Sequence, residues 1–227
     1  MIAYAADTSG ARNLASLREG GWRILYAAPR ISRRAKYSPD FPFAIDNGAW
    51  SCHTRGVPFD FDAFRHAVEL CGHLADWVVA PDIVGGGAKS LELSRSWLDW
   101  LRPRCRRVLL AVQDGMVATR DTVDGFDGVA IGGGDAWKFA QLGHRCKPNS
   151  GCVAECRPSR AWRSAIGGGW LHVLRVNSQR RVRWCAAAGA DSFDGSGPSK
   201  HALHREVMQA QLDKVNAELP LLRLMES

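Results

Sequence analysis

The chain has 227 residues, 46% of them hydrophobic and 23% charged, which is the composition of a soluble globular protein and enough length for one large domain with a full core. No run reaches the roughly 18 apolar residues of a membrane span, and the start MIAYAADTSGARN has neither the basic lead nor the apolar core of a signal peptide. A cytoplasmic protein with no membrane partner is therefore expected. The net charge of +7 and pI of about 9.3 suit a polyanion partner without requiring one.

In chain order, eight apolar runs of strand length recur at Ile2–Ala6, Arg23–Ala27, Phe43–Asp46, Trp77–Pro81, Val108–Val112, Gly128–Ile131, Leu171–Val176 and Ala190–Phe193. Their near-continuous apolar character is that of strands buried on both faces of a parallel sheet. Between them the spacing is helical. Phe61, Phe64, Val68 and Cys71 share one helix face behind the acidic start Asp60–Asp62, and Leu91, Leu98 and Leu101 do similar work before the fifth strand. Met208, Leu212, Val215 and Leu219 mark a last helix that Pro220 is expected to end. Eight strands alternating with helices predict an α/β fold, a compact (β/α)8 TIM barrel, with an open doubly wound sheet as the alternative. A single domain over residues 1–227 is expected, with an irregular insertion at about 143–159.

Every strand tip from the third onward is polar or glycine-rich: Asp46, Asp82, Gln113-Asp114-Gly115, Gly132-Gly133-Gly134, Asn177 and Asp194. In a parallel barrel these tips converge on one face. Carboxylates gathered there resist joint ionisation, so they point to chemistry or cation binding. Glycines let backbone approach a flat ligand and expose N–H groups. Asp and Gln suit the edge of a purine-like base, and a further carboxylate suits attack on an anomeric carbon. Asp191 competes with Asp194, which is favoured by its place at the strand tip before glycine. Asp82 and Gln113 also have purely structural readings as turn or framework residues. Trp50 is equally suited to base stacking and to core packing.

Basic clusters fall at Arg30–Lys36, Arg102–Arg107, Arg157–Arg163 and Arg175–Arg183, where solvated helix faces compete with phosphate contact. Arg175, Asn177, Arg180 and Arg181 are candidates for phosphate, and Lys138 is open to a solvent or phosphate role. Among seven cysteines, Cys71, Cys105 and Cys185 read as reduced core fillers. His144, Cys146, Cys152 and Cys156 place four soft ligands in 13 residues, so a structural zinc competes with metal-free loop cysteines.

The phrase DNGAW resembles the DSGGF-type phrase of the tRNA-guanine transglycosylase superfamily, AVQDG its VQGG phrase, AIGGGDAWK its IGGLAVGE phrase, and ADSFDGSG its strand-eight D-x-F-D phrase. The order agrees from Asp46 to Gly197, about two thirds of the chain. PDIVGGG, VAIGGGDAWK and LHVLRVNSQRRVRWCAAAGADSFDG are most similar to short phage-type members that place deazapurines in DNA. The resemblance implies that Asp194 is the nucleophile on C1′ and Asp46 the acid/base. It implies that Asp82 and Gln113 bond the base edge and that Gly132 and Gly133 lie against the base. DNA and a 7-deazaguanine base, such as the 7-cyano form, become the expected partners, tRNA the alternative, and the host cytoplasm the location if the protein is phage-encoded. No cofactor is required for this chemistry.

Some features depart from the family. The tRNA enzymes' Cys-x-Cys-x2-Cys…His zinc motif after strand eight is missing, so the His144–Cys156 cluster does not inherit it. Asp114 stands where VQGG has its second glycine. The chain is also much shorter than the tRNA enzymes, which favours DNA. Competing functions are a glycosidic hydrolase with water as acceptor, a nucleic-acid-binding barrel without catalysis, and a divalent-metal phosphodiesterase.

Overall fold

A computed structural model describes residues 1–8, 10–34, 41–143 and 160–224. Eight parallel strands close into a barrel in simple chain order: β1 (Ile2–Ala6), β2 (Arg23–Ala27), β3 (Phe43–Asp46), β4 (Val78–Val79), β5 (Val108–Val112), β6 (Gly128–Ile131), β7 (Trp170–Val173) and β8 (Ser192–Gly195). β8 closes on β1 with Tyr4 opposite Asp194, and β2 meets β3 with Ala27 opposite Asp46. The chain is thus an α/β protein of the (β/α)8 class, and the doubly wound alternative is set aside.

The pleat explains why the strands read as unbroken apolar runs. Alternate residues point outward into a large core shared with the helices, among them Ile24, Phe43, Ile45, Val78, Leu110, Val129, Val173 and Phe193. The intervening residues point inward. Tyr4, Leu25, Ala44, Trp77, Val79, Leu109, Ala111 and Ala130 fill the barrel as a second cluster. Both faces are buried, so polar residues are few within the strands, with His172 on β7 and Ser192 and Asp194 on β8 as buried exceptions.

The helix Phe61–Cys71 forms as expected. Asp60 caps it, accepting the Ala63 N–H at 3.0 Å, and Phe64, Val68 and Cys71 are buried on its inner face. Phe61 stays partly exposed and stacks on Trp97 at 5.5 Å between ring centroids. Leu101 is fully buried, with Leu91 and Leu98 packed at the core margin. Cys71 and Cys185 are buried and Cys105 is half-buried, all as free thiols.

Four elements differ from expectation. β7 spans Trp170–Val173 and ends three residues short of Val176. β4 is only two residues long, because the chain turns away at Pro81 to form the loop carrying Asp82. β8 starts two residues later than expected, so Asp194 lies inside the strand rather than beyond it. The final helix, Ala202–Leu224, runs through Pro220. A proline removes one intrahelical hydrogen bond and crowds one carbonyl, and the helix is already anchored by buried Met208, Leu212 and Val215. No described helix is long and apolar enough to cross a membrane.

Candidate active site

The C-terminal mouth of the barrel opens on a cavity of about 840 Å³ whose lining includes Asp46, Asp82, Gln113, Gly132, Gly133, Arg175 and Asp194. These residues come from β3 and β8 or from the loops that follow β4 to β7, so strand parity and closure bring together side chains more than a hundred residues apart in sequence.

Asp194 sits on the inward face of β8 and is 7% exposed. Its Oδ1 accepts the Arg175 backbone N–H at 2.9 Å and lies 3.3 Å from His172 Nε2. Among the described residues, Oδ2 accepts no hydrogen bond. Asp191 has a different place. Its carboxylate accepts the Leu171 N–H at 2.8 Å and pairs with Arg163 at 2.6 Å, at the N-terminal end of β8. Asp191 is a framework residue that does not line the cavity.

Asp46 ends β3. Its Oδ2 accepts the Gly48 N–H at 3.1 Å. Burial, then the charges of Asp82 and Asp194, push its carboxyl up to about 7, against the pull of the Gly48 amide and of Arg175. A carboxyl poised there gives or takes a proton near neutrality.

Asp82 is held at both oxygens. Asn47 Nδ2 donates to Oδ1 at 2.8 Å and Gln113 Nε2 donates to Oδ2 at 3.0 Å. Burial raises its pKa, while those two donors oppose the shift. Gln113 is itself committed. Its Nε2 also reaches the Ile83 carbonyl (2.8 Å) and Ser90 Oγ (2.9 Å), and its Oε1 accepts the Gly85 N–H. In this structure Gln113 braces the β4 loop and Asp82 rather than presenting a free amide to the cavity.

Asn47 was not singled out by sequence, yet it binds the β3 and β4 tips together. Its Nδ2 also donates to the Ala80 carbonyl at 2.6 Å, and its Oδ1 accepts the Ala49 N–H at 2.8 Å. The Asn-Gly pair before the helix Ala49–Thr54 carries that signal, since an Asn side chain there mimics a turn of backbone. Gly133 has φ of 75°, and a Cβ on it would stand 2.4 Å from Asp114 Oδ2. Asp114, the departure from VQGG, accepts the Gly134 N–H at 2.7 Å and so ties the β5 and β6 loops.

Arg175 follows β7 with a left-handed φ of 58°, which costs a non-glycine residue about 1–2 kcal/mol. The conformation lets its amide reach Asp194 while its guanidinium donates to the Gly133 carbonyl and lies 4.2 Å over the Trp50 ring. Trp50 is 46% exposed at the cavity wall, so it is not a core residue. Arg30 and Lys200 also line the cavity, Arg30 in a 3.0 Å pair with Asp7.

The other phosphate candidates lie elsewhere. Lys138 is fully buried. Its ammonium donates to the Leu174 carbonyl at 2.9 Å and pairs with Asp135 at 3.1 Å, so it is a framework cation and is not presented to phosphate. Burial lowers its pKa against the opposing pull of Asp135. Arg181 pairs with Asp135 at 2.7 Å and Arg180 lies 4.9 Å over the Trp184 ring. The Asn177 side chain accepts the Gly197 N–H at 3.1 Å, joining the β7 and β8 loops. None of these four lines the cavity.

His144, Cys146, Cys152 and Cys156 lie outside the described residues. Among the described residues, no three His, Cys, Asp or Glu side chains group as a metal site. Neither models of known protein families nor curated proteins give a match to this chain.

Proposed function

We propose that this protein is a DNA-guanine transglycosylase that exchanges guanine in DNA for a 7-deazaguanine base through a covalent aspartyl-glycosyl intermediate. The observation that carries the reading is the division of roles among carboxylates in one cleft. Asp194 is pinned through Oδ1 with Oδ2 left to react, and Asp46 is poised near 7. The motif likeness to the transglycosylase superfamily supplies the reaction class.

The chemistry follows from these positions. Asp194 Oδ2 forms a bond to C1′ as the C1′–N9 bond breaks, and the departing electron pair goes to guanine. Protonated Asp46 delivers a proton to the departing base. The incoming base then bonds through N9 to C1′, breaks the C1′–Oδ2 bond and returns its proton to Asp46. Asp194 attacks from the face opposite the departing base and the incoming base from the face that base left, so two successive inversions retain configuration, as in retaining glycosidases. Asp82, oriented by Asn47 and Gln113, keeps lone pairs for N–H groups on the base edge. Trp50 and the Gly132-Gly133 backbone supply flat walls. Arg30, Arg175 and Lys200 supply positive charge for the sugar-phosphate. The target base must leave the helical stack to enter, so single-stranded or flipped substrate is expected.

The test is entry of radiolabelled guanine into DNA and, in parallel, into tRNA, with wild type and Asp194→Asn. Label in DNA with wild type alone supports the proposal. Label in tRNA alone moves the protein to the RNA branch, and free guanine released without exchange identifies a glycosidic hydrolase.

A further inference from the structure

Inside the barrel, below Asp194, a line of polar groups crosses an otherwise apolar core. Trp170 Nε1 lies 2.8 Å from Ser192 Oγ, Ser192 Oγ lies 2.8 Å from His172 Nδ1, and His172 Nε2 lies 3.3 Å from Asp194 Oδ1. Ser192 and His172 are fully buried. Tyr4 packs edge-on to the imidazole at 5.7 Å and Trp77 lies against it at 4.5 Å. The two rings leave the imidazole little freedom to turn.

The proton positions follow from what each group is able to do. An indole N–H only donates, so Ser192 Oγ accepts from Trp170. The buried hydroxyl proton then has one acceptor among the described residues, His172 Nδ1. A buried hydroxyl with no acceptor is costly, so Nδ1 accepts. Nε2 therefore carries the imidazole proton and donates it to Asp194, a carboxylate that only accepts.

We propose that Trp170, Ser192 and His172 form a one-way hydrogen-bond relay that fixes the Nε2–H tautomer of His172 and makes it a positioning residue for Asp194. The relay and the Arg175 amide both donate to Oδ1, which leaves Oδ2 as the oxygen that attacks. When the C1′–Oδ2 bond forms, Oδ1 becomes the ester carbonyl and keeps both donors. When that bond breaks, the same donors receive the carboxylate. His172 gains and loses no proton in either step. The consequence for catalysis rests on the base-exchange reading, whereas the tautomer does not.

The experiment pairs nuclear magnetic resonance of ¹⁵N-histidine-labelled protein with guanine-exchange kinetics, using wild type, Ser192→Ala, Ser192→Thr and His172→Gln. The expected wild-type spectrum shows His172 protonated at Nε2 and bare at Nδ1, without any substrate. Ser192→Ala is expected to lose that single state and to lower kcat about tenfold with KM within twofold. Ser192→Thr, which keeps the hydroxyl, restores both readouts, and His172→Gln lowers kcat in a protein of unchanged circular dichroism. A wild-type His172 protonated at Nδ1 overturns the relay. The expected tautomer with wild-type kcat in both Ser192→Ala and His172→Gln overturns the positioning role. An Nε2–H signal in a protein that exchanges no base upholds the relay and overturns the base-exchange reading.

Discussion

At Asp46 one side chain couples pH to stability and, in the proposed exchange, to chemistry. Its folded pKa of about 7 stands above the ordinary 3.8, so the folded state holds an extra proton between those values. Stability from this group is complete below about 4 and is lost as pH rises through 7. Asp46→Asn removes that dependence. The variant should therefore gain Tm relative to wild type at pH 8 and show little difference at pH 4, as differential scanning calorimetry would read. In single turnover, wild-type guanine release should slow as pH rises through 7, because the departing base needs the protonated form. In the proposed exchange the charge of Asp194 is itself the reagent. Asp194→Asn should lower exchange by about a thousandfold or more, with no covalent DNA adduct in denaturing gels. Asp82 differs from both, because two side-chain donors already hold its oxygens and fit it for binding rather than attack.

At the scale of elements, the site is built from loops tied to one another. Asn47 joins the β3 and β4 tips, Gln113 joins β4 and β5, Asp114 joins β5 and β6, and Arg175 joins β7 to β6 and β8. Lys138 holds the Leu174 carbonyl just before the left-handed turn at Arg175, so the Asp194 amide donor depends on a buried cation. Lys138→Met should leave that carbonyl unpaired and cost about 1–3 kcal/mol, read as a lower urea midpoint with unchanged m-value. Gly133→Ala should be destabilising as well, since its φ of 75° and the 2.4 Å approach to Asp114 leave no room for a methyl group. Exchange activity should fall further than stability, because the β6 loop forms a wall of the cavity.

At the scale of the whole molecule, positive charge divides between the two ends of the barrel. Arg30, Arg175 and Lys200 stand at the mouth with the cavity. Arg106 and Arg107 precede β5, at the opposite end, where Arg107 covers the Trp170 ring at 5.1 Å. Arg102 and Arg163 are spent on backbone carbonyls, at Gly125 and at Gly169 and Gly189. Lys200→Ala should therefore weaken DNA binding and reduce the slope of log K against log salt by about 0.9. Arg106→Ala should leave that slope unchanged. Fluorescence anisotropy over a salt series compares the two, and equal effects would place the DNA away from the mouth.

The eight strands, to within a few residues at their ends, and the polar tips from the third onward were legible in the chain itself, because burial on both faces writes each strand as a short apolar run that stops near the end of the barrel. Asp46, Asp82, Gly133 and Asp194 could be picked out for the same reason: each marks a place where a run stops. What tertiary structure decided was which polar groups meet. Nothing local distinguishes Lys138, buried against Leu174 and Asp135, from a surface lysine that meets phosphate. Likewise, Arg163 and Arg181 read as basic-cluster residues until Asp191 and Asp135 are brought beside them. His172 reads as one more residue of an apolar strand until closure of β8 on β7 sets Ser192 and Asp194 at its two nitrogens. Periodicity reports which face of an element is buried, since that depends on neighbours a few residues away. Pairing across the barrel depends on partners tens of residues distant, and only the closed sheet supplies them.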